Sequence, residues 1–486
     1  MRKLLLATVA VLGVGAGLAE DASAQAFPTP GTITVRLNGR FRFYAAIVND
    51  NDVQNNLQGS PTGTTALTGT NKLANYGFAE LGRLYPGFDG VAANGLKYGA
   101  SMEIRQDNFA GAGGGIYGSI SQQDRERGAL YFRREWGYIG ADKIGTFRFG
   151  NTDPATSLYM TGNFENFNDG GVNGDVQNMI ALNAEVLWPF ADVGNYYATT
   201  KAVYLSPQFF GFDFGVSFEP NSGNVNINSG CGSNSNQGVN FTNPAGSTLG
   251  TTTQPGVTLT TPAAALGANA QAIAGPGCDR LSSTPTLDYT RRRNTFDGLI
   301  RYRGSFGGVG VAATAAYITS SHVLDNSVPQ RATQYEGLKV GDFGVAVTYA
   351  GLSVGGKYQV GRYNGQWGLD PSVTVAPGVV RNGIDAKAWL VGASYTFGPA
   401  IIGAHYLDYI STGDITQTLA GRQRHETALA AGGTYSVAPG LSLFLSYVYF
   451  QRKQNGFNFV TATSGDFTAH NKVTSSVVSL GTSFAW

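Results

Sequence analysis

From Thr32 to Val48 the chain alternates with a period of two. Ile33, Val35, Leu37, Gly39, Phe41, Phe43, Ala45 and Ile47 share one face, and Thr34, Arg36, Asn38, Arg40, Arg42 and Tyr44 share the other. Successive side chains of a β-strand point to opposite faces, so this is a strand with one apolar and one polar side. Similar segments recur to the C-terminus. The pattern predicts sixteen strands, over 32 to 48, 76 to 88, 95 to 106, 127 to 140, 143 to 151, 195 to 206, 209 to 219, 294 to 305, 307 to 320, 338 to 350, 352 to 364, 385 to 397, 399 to 411, 424 to 436, 440 to 453 and 472 to 486. Most reach the roughly 9 to 11 residues that a tilted strand needs to cross a bilayer.

The connections alternate long and short: 49 to 75 is long and 89 to 94 short, 107 to 126 long and 141 to 142 short, 152 to 194 long and 207 to 208 short. The long ones continue at 220 to 293, 321 to 337, 365 to 384, 412 to 423 and 454 to 471. An even-stranded outer-membrane barrel has short periplasmic turns and long external loops. A soluble Greek-key protein gives no reason for the alternation. The expected fold is therefore all-β, a 16-stranded antiparallel transmembrane β-barrel with long external loops and both chain ends in the periplasm. It must close on itself, because an unpaired amide in hydrocarbon costs several kcal/mol. Aromatics towards strand ends, such as Tyr197, Tyr204, Phe210, Phe212, Tyr395, Tyr447, Tyr449 and Trp486, fit a girdle at the membrane interface; a stacking path for sugars is the alternative.

Composition agrees. Charged residues are only 13% and aromatics 12%, while 68 of 486 residues are Gly, about double the usual share. That excludes disorder and coiled coil. The net charge of +1 lacks the basic footprint of a nucleic-acid binder. The N-terminus has basic Arg2 and Lys3, an apolar run from Leu4 to Leu18 and then Ala22-Ser23-Ala24, the pattern of a cleaved secretory signal. Residues 1–24 are accordingly expected to be a signal peptide and 25–486 one barrel domain. The run is short for an N-terminal membrane anchor.

Chemistry-bearing motifs are sparse. His322, His405, His425 and His470 show no metal-binding spacing, and there is no nucleophile elbow or phosphate loop, so no enzyme activity is expected. His405 shares a phase with Leu407 and Tyr409. The 220 to 293 connection, rich in Asn, Gly, Ser and Thr, reads as a long external loop. It contains Cys231 and Cys278, a disulfide candidate in an oxidising compartment, with two free thiols as the alternative.

A family resemblance rests on several short stretches. Tyr138-Ile139-Gly140 with Ile144-Gly145-Thr146-Phe147-Arg148-Phe149-Gly150-Asn151, Val203-Tyr204-Leu205-Ser206-Pro207 with Gly211-Phe212, and Ser394-Tyr395-Thr396-Phe397-Gly398-Pro399 with Ile402-Gly403-Ala404 resemble, in order and spacing, the Gram-negative general porins. Asn151 stands where that family often has Arg. The C-terminal strand, Val478, Leu480, Thr482, Phe484 and Trp486, resembles the signal read by the barrel-assembly machinery. The resemblance implies a homotrimer among the lipids of the Gram-negative outer membrane, each barrel a water-filled channel whose third external loop folds into the lumen.

The segment 152–194 is the candidate for that constriction loop. It holds Asp153, Glu165, Asp169, Asp175, Glu185 and Asp192 and no Lys or Arg. Arg36, Arg40, Arg42, Arg105 and Arg148 lie on polar strand faces, as do Arg301 and Arg303; Arg133 and Arg134 have opposite phases, and Arg83 fits either face. A lipid-facing Arg costs about 2–4 kcal/mol near the midplane, so these side chains should point inward. The expected selectivity residues are Arg36, Arg40, Arg42, Arg105 and Arg148 against Glu165, Asp169, Asp175 and Glu185, facing each other across the constriction with a transverse field. In the alternative, the arginines only solvate and stabilise a wide wall. No cofactor is expected, apart from Ca²⁺, whose preference for carboxylate oxygen the acidic loop suits. The expected function is passive diffusion of ions and small hydrophilic solutes. A substrate-selective sugar or anion channel, or a non-conducting barrel serving adhesion or surface structure, are the alternatives.

Overall fold

The computed structural model describes residues 28–51, 74–107, 130–180, 184–186, 188–192, 196–221, 253–254, 257–258, 293–321, 323–325, 333–335, 337–362, 386–411, 424–459, 463–464 and 470–486. Sixteen strands form one closed barrel: β1 Thr32–Asn51, β2 Tyr76–Val91, β3 Lys97–Asp107, β4 Leu130–Ala141, β5 Gly145–Thr152, β6 Thr199–Leu205, β7 Phe212–Asn221, β8 Arg293–Phe306, β9 Val309–Ser321, β10 Lys339–Tyr349, β11 Leu352–Arg362, β12 Ala386–Phe397, β13 Ala400–Ser411, β14 Arg424–Ala438, β15 Leu441–Lys453 and β16 Lys472–Ala485. Each pairs antiparallel with the next, and β16 closes on β1 with Arg42 opposite Ser483 and Tyr44 opposite Gly481.

Every strand overlaps one expected from the sequence. β6 starts at Thr199, and Tyr196, just before it, donates its hydroxyl to Asp297 on β8 at 2.8 Å. The 1–24 segment, Cys231 and Cys278 lie outside the described residues. Of the 220–293 connection, a short hairpin pairing Thr253–Gln254 with Val257–Thr258 is described.

The alternation seen in β1 becomes two physically different faces. Ile33, Val35, Leu37, Phe41, Phe43 and Ile47 are exposed, while Arg36, Arg40, Arg42 and Tyr44 are partly or wholly buried. Residues directly opposite in an antiparallel pair share a face. The register therefore carries this buried face round the barrel to Arg83 and Asp89 on β2, Glu103 and Arg105 on β3, Arg134 on β4 and Arg148 on β5.

On β12–β16 much of the buried face is apolar as well. Val391, Tyr395, Ile402, Leu445, Val478 and Leu480 are exposed, but Leu390, Leu407, Ala428, Ala430, Val448, Phe450 and Val477 are buried. The cause is the connection between β5 and β6, which runs from 153 to 198. Its Met160, Phe164, Phe167, Val172, Val176, Trp188 and Phe190 share one buried cluster with those strand residues. Burying a large apolar side chain contributes about 1.5–3 kcal/mol. This packing therefore holds the connection to the sheet.

Candidate functional site

The 153–198 connection touches the buried face strand by strand. Near its start, Asp153 pairs with Arg134 on β4. A short helix, α1 (Ala155–Leu158), aims its first amides at β7 and β8: Ala155 N–H donates to Ser217 Oγ at 2.7 Å and Thr156 N–H to Asp297 at 3.0 Å. The chain then passes Gly344 on β10 and Gly356 on β11, where Thr161 and Gly162 lie against the wall. Asn166 donates to Ser394 Oγ on β12 at 3.1 Å, Thr434 Oγ1 on β14 donates to the Asn168 carbonyl at 3.0 Å, and Ser446 Oγ on β15 lies 3.3 Å from Asp169. Asp175 ends the tour on β1 and β2.

Two wall glycines make this close approach sterically feasible. A Cβ at Gly403 would lie 2.5 Å from the Phe167 ring, and one at Gly392 would lie 3.0 Å from Phe164 and 2.8 Å from His405. Any side chain at either position would displace the segment.

At the end of the tour one carboxylate meets three guanidinium groups. Asp175 Oδ2 is 2.6 Å from Arg42 Nη1 and 3.1 Å from Arg40 Nη2, and Asp175 Oδ1 pairs with Arg83. Tyr44 OH donates to Asp175 and Asp169 at 3.4 Å each. Asp169 accepts Val176 N–H at 2.8 Å. Burial raises the Asp169 carboxyl above the usual carboxylate range; the Arg42 charge works against that shift and the Asp175 charge adds to it.

Of the residues expected from the sequence, Arg40, Arg42, Asp169 and Asp175 come together, in direct contact. The others lie elsewhere. Arg36 pairs with Asp89 at 2.7 Å. Arg105 shares Glu103 with Arg133 and Arg134. A bulge opposite Glu103 and Ile104 lets both of these consecutive arginines reach that carboxylate despite their opposite phases. Arg148 lies over the Trp136 ring, 3.6 Å from its centroid. Glu165 is held within its own segment by Asn163 and, at 2.6 Å, by Asn173. Among the described residues, no group of three or more His, Cys, Asp or Glu side chains gathers as a metal ion would need.

Glu185 is mostly buried, which pushes its carboxyl up to about 7 against the opposing charge of Arg452. The unfolded group ionises from about 4.5, while the folded group keeps its proton until about 7. The folded state therefore binds more protons in that window, and stability falls as pH rises through it. Glu185→Gln is expected to stabilise the protein above pH 7, by at most about 3 kcal/mol, and to change little below pH 4.5. Unfolding midpoints across pH check this.

Sequence reasoning missed Arg83, Glu103 and His405. His405 points from β13 onto the connection: its Nε2 accepts Val172 N–H at 2.8 Å, and its Nδ1 lies 3.0 Å from the Phe164 carbonyl. Its ring stacks on Trp188 with centroids 5.7 Å apart. In the sequence it shares a phase with Leu407 and Tyr409, which the structure buries, and that phase alone gave it no direction.

A closed sixteen-strand barrel with one face apolar and outermost, and the other carrying arginine and carboxylate, defines an outer-membrane-type β-barrel. A family model described as Gram-negative porin matches residues 7–455, and the chain belongs to that family. No curated protein matches significantly. Among solved structures, an anion-selective porin from Comamonas acidovorans is similar at 14% identity and a TM-score of 0.49, covering 94% of this chain and 100% of that one. A triple mutant of the Rhodopseudomonas blastica porin is similar at 13% identity and a TM-score of 0.43, covering 93% and 100%.

Proposed function

We propose that the protein is a passive diffusion channel of the outer membrane, exported with a cleaved signal peptide and assembled as a homotrimer, with the 153–198 connection lying across the lumen as its constriction. One observation carries this reading. The connection leaves β5 and touches the buried faces of β7, β8, β12, β14, β15, β1 and β2 in that order. A segment that meets strand after strand of a closed barrel on their buried side supports a course inside the lumen. Beside it, the buried face of β1–β5 carries Arg36, Arg40, Arg42, Arg83, Arg105, Arg134 and Arg148.

Two clusters set the charge of that lumen. Three arginines share Asp175 and three share Glu103, so guanidinium outnumbers carboxylate in both. Confined, weakly screened charge sorts ions by sign, and this excess favours anions. A reversal potential of anion sign in a salt gradient is the expected result. Solutes are sorted mainly by size. Liposome swelling in graded neutral sugars should slow steadily with sugar size and show no saturation; saturation by one sugar would favour the substrate-selective alternative.

The exposed apolar face supports contact with acyl chains. Val345, between exposed Phe343 and Val347 in mid-β10, belongs to it. Val345→Arg is expected to cost about 2–4 kcal/mol if it lies near the midplane, measured by unfolding in lipid. β5 and β6 have 8 and 7 residues, fewer than a tilted crossing needs. A neighbouring copy covering that side would supply the missing apolar contact, which supports the trimer.

A further inference from the structure

We propose that His405 is the positioning residue of the constriction, a neutral imidazole that fixes the 164–172 stretch against the wall and lets it go when protonated. This rests on the reading of the 153–198 connection as the constriction.

Both ring nitrogens are committed to main-chain groups of opposite kind. A carbonyl oxygen can only accept, so Nδ1, beside the Phe164 carbonyl, carries the proton and donates. A backbone N–H can only donate, so Nε2, facing Val172 N–H, is bare and accepts. One neutral tautomer satisfies both. The ring thus ties down two points of the loop that are distant from β13 in sequence, and Phe167 packs edge-on against it at 5.4 Å between centroids. Trp188 stacks on it, bringing a third part of the connection to the same anchor.

Protonation of Nε2 would set an N–H against the Val172 N–H. Neither group could then accept, and the buried bond would be replaced by a repulsive contact. A lost buried hydrogen bond leaves its donor unsatisfied, which is costlier than the bond is stabilising. The relief available is movement of the 164–172 stretch off the wall and into the lumen. Acidification should therefore produce reversible closures.

Other titratable groups flank the ring. Glu165 is held by Asn163 and Asn173, Asp169 by Val176 N–H, Ser446 and Tyr44, and Glu185 lies further along the connection near Arg452. No charged side chain is among the hydrogen-bond or ring partners of His405 described above. Each of these carboxylates also loses charge in acid, so each needs its own control.

The test is single-channel recording of the full-length protein in a planar bilayer while the pH is lowered, on wild type and His405→Gln. The Gln side chain keeps one donor and one acceptor but does not titrate. Wild type is expected to close in acid, and His405→Gln to lose the acid closures, each protein being compared with its own open-state conductance at neutral pH. Glu165→Gln, Asp169→Asn and Glu185→Gln are expected to keep the closures. His405→Gln closing in acid as wild type does would overturn the proposal, as would loss of the response in a carboxylate variant alone. An independent reading comes from Trp188, since an imidazolium stacked on the indole quenches its emission. The acid step in tryptophan fluorescence should be present in wild type and absent in both Trp188→Phe and His405→Gln; its survival in His405→Gln would also overturn the proposal. Absence of any wild-type conductance would count against the channel reading, while the fluorescence step would still report on His405.

Discussion

Asp175→Asn is expected to free the 153–198 connection from β1 and β2 and, on the proposed channel reading, to shift ion preference towards anions. Asp175 and the side chains of Arg40, Arg42 and Arg83 are 7%, 11%, 14% and 6% exposed, so the cluster has little water to screen it. Removing one partner of a buried ion pair costs about 3–5 kcal/mol, because the charges left behind are uncompensated. Here three guanidinium groups share the one carboxylate that is lost. The barrel strands pair through their backbones and do not depend on this contact, so the loss should fall on the docking of the segment. Limited proteolysis within 153–198 should become faster, and the reversal potential should move in the anion direction. Unchanged protection together with unchanged selectivity would mean that the cluster neither holds the segment nor borders the ion path.

The second large effect is expected farther round the wall, at β13. Phe167 is fully buried beside Gly403 and His405. Phe167→Ala should weaken docking of the segment by about 3–5 kcal/mol, the usual cost of a large-to-small change in a packed core. Gly403→Leu attacks the same contact from the other side. Its Cβ would enter the space of the Phe167 ring, and overpacking of this kind costs about 1–3 kcal/mol or more. The two variants part company in conductance. Phe167→Ala leaves a cavity against the wall and should raise open-channel noise, whereas Gly403→Leu pushes the segment inward and should lower unitary conductance. Equal, wild-type conductance in both would contradict the seat assigned to Phe167.

The architecture was legible in the sequence because its signals are local. β1 shows both faces in its own alternation, and Arg36, Arg40 and Arg42 fall on the buried side as their phase requires. The long and short connections mark the two ends of the barrel. The site was legible only in part. Arg83 shares its face with Leu81 and Tyr85, so the rule that apolar residues face outward gave it no direction. On β13, His405, Leu407 and Tyr409 are buried beneath the 153–198 connection, while the other face of the same strand is apolar as well. A strand that packs on protein from one side and presents apolar groups on the other has no polar phase to read. The partners of Asp175 come from β1 and β2, far away along the chain, and no local pattern encodes that distance. Arg133 and Arg134 reach one carboxylate through a bulge, a backbone irregularity that strict period-two reasoning does not foresee.

As proposed, the barrel encloses a continuous aqueous path. Planar-bilayer recording of the purified protein tests it most directly. Discrete, ohmic steps whose size rises in proportion to the conductivity of the bathing salt are expected. Stable insertion without any steps, or steps that stay the same size as the salt is raised, would contradict it.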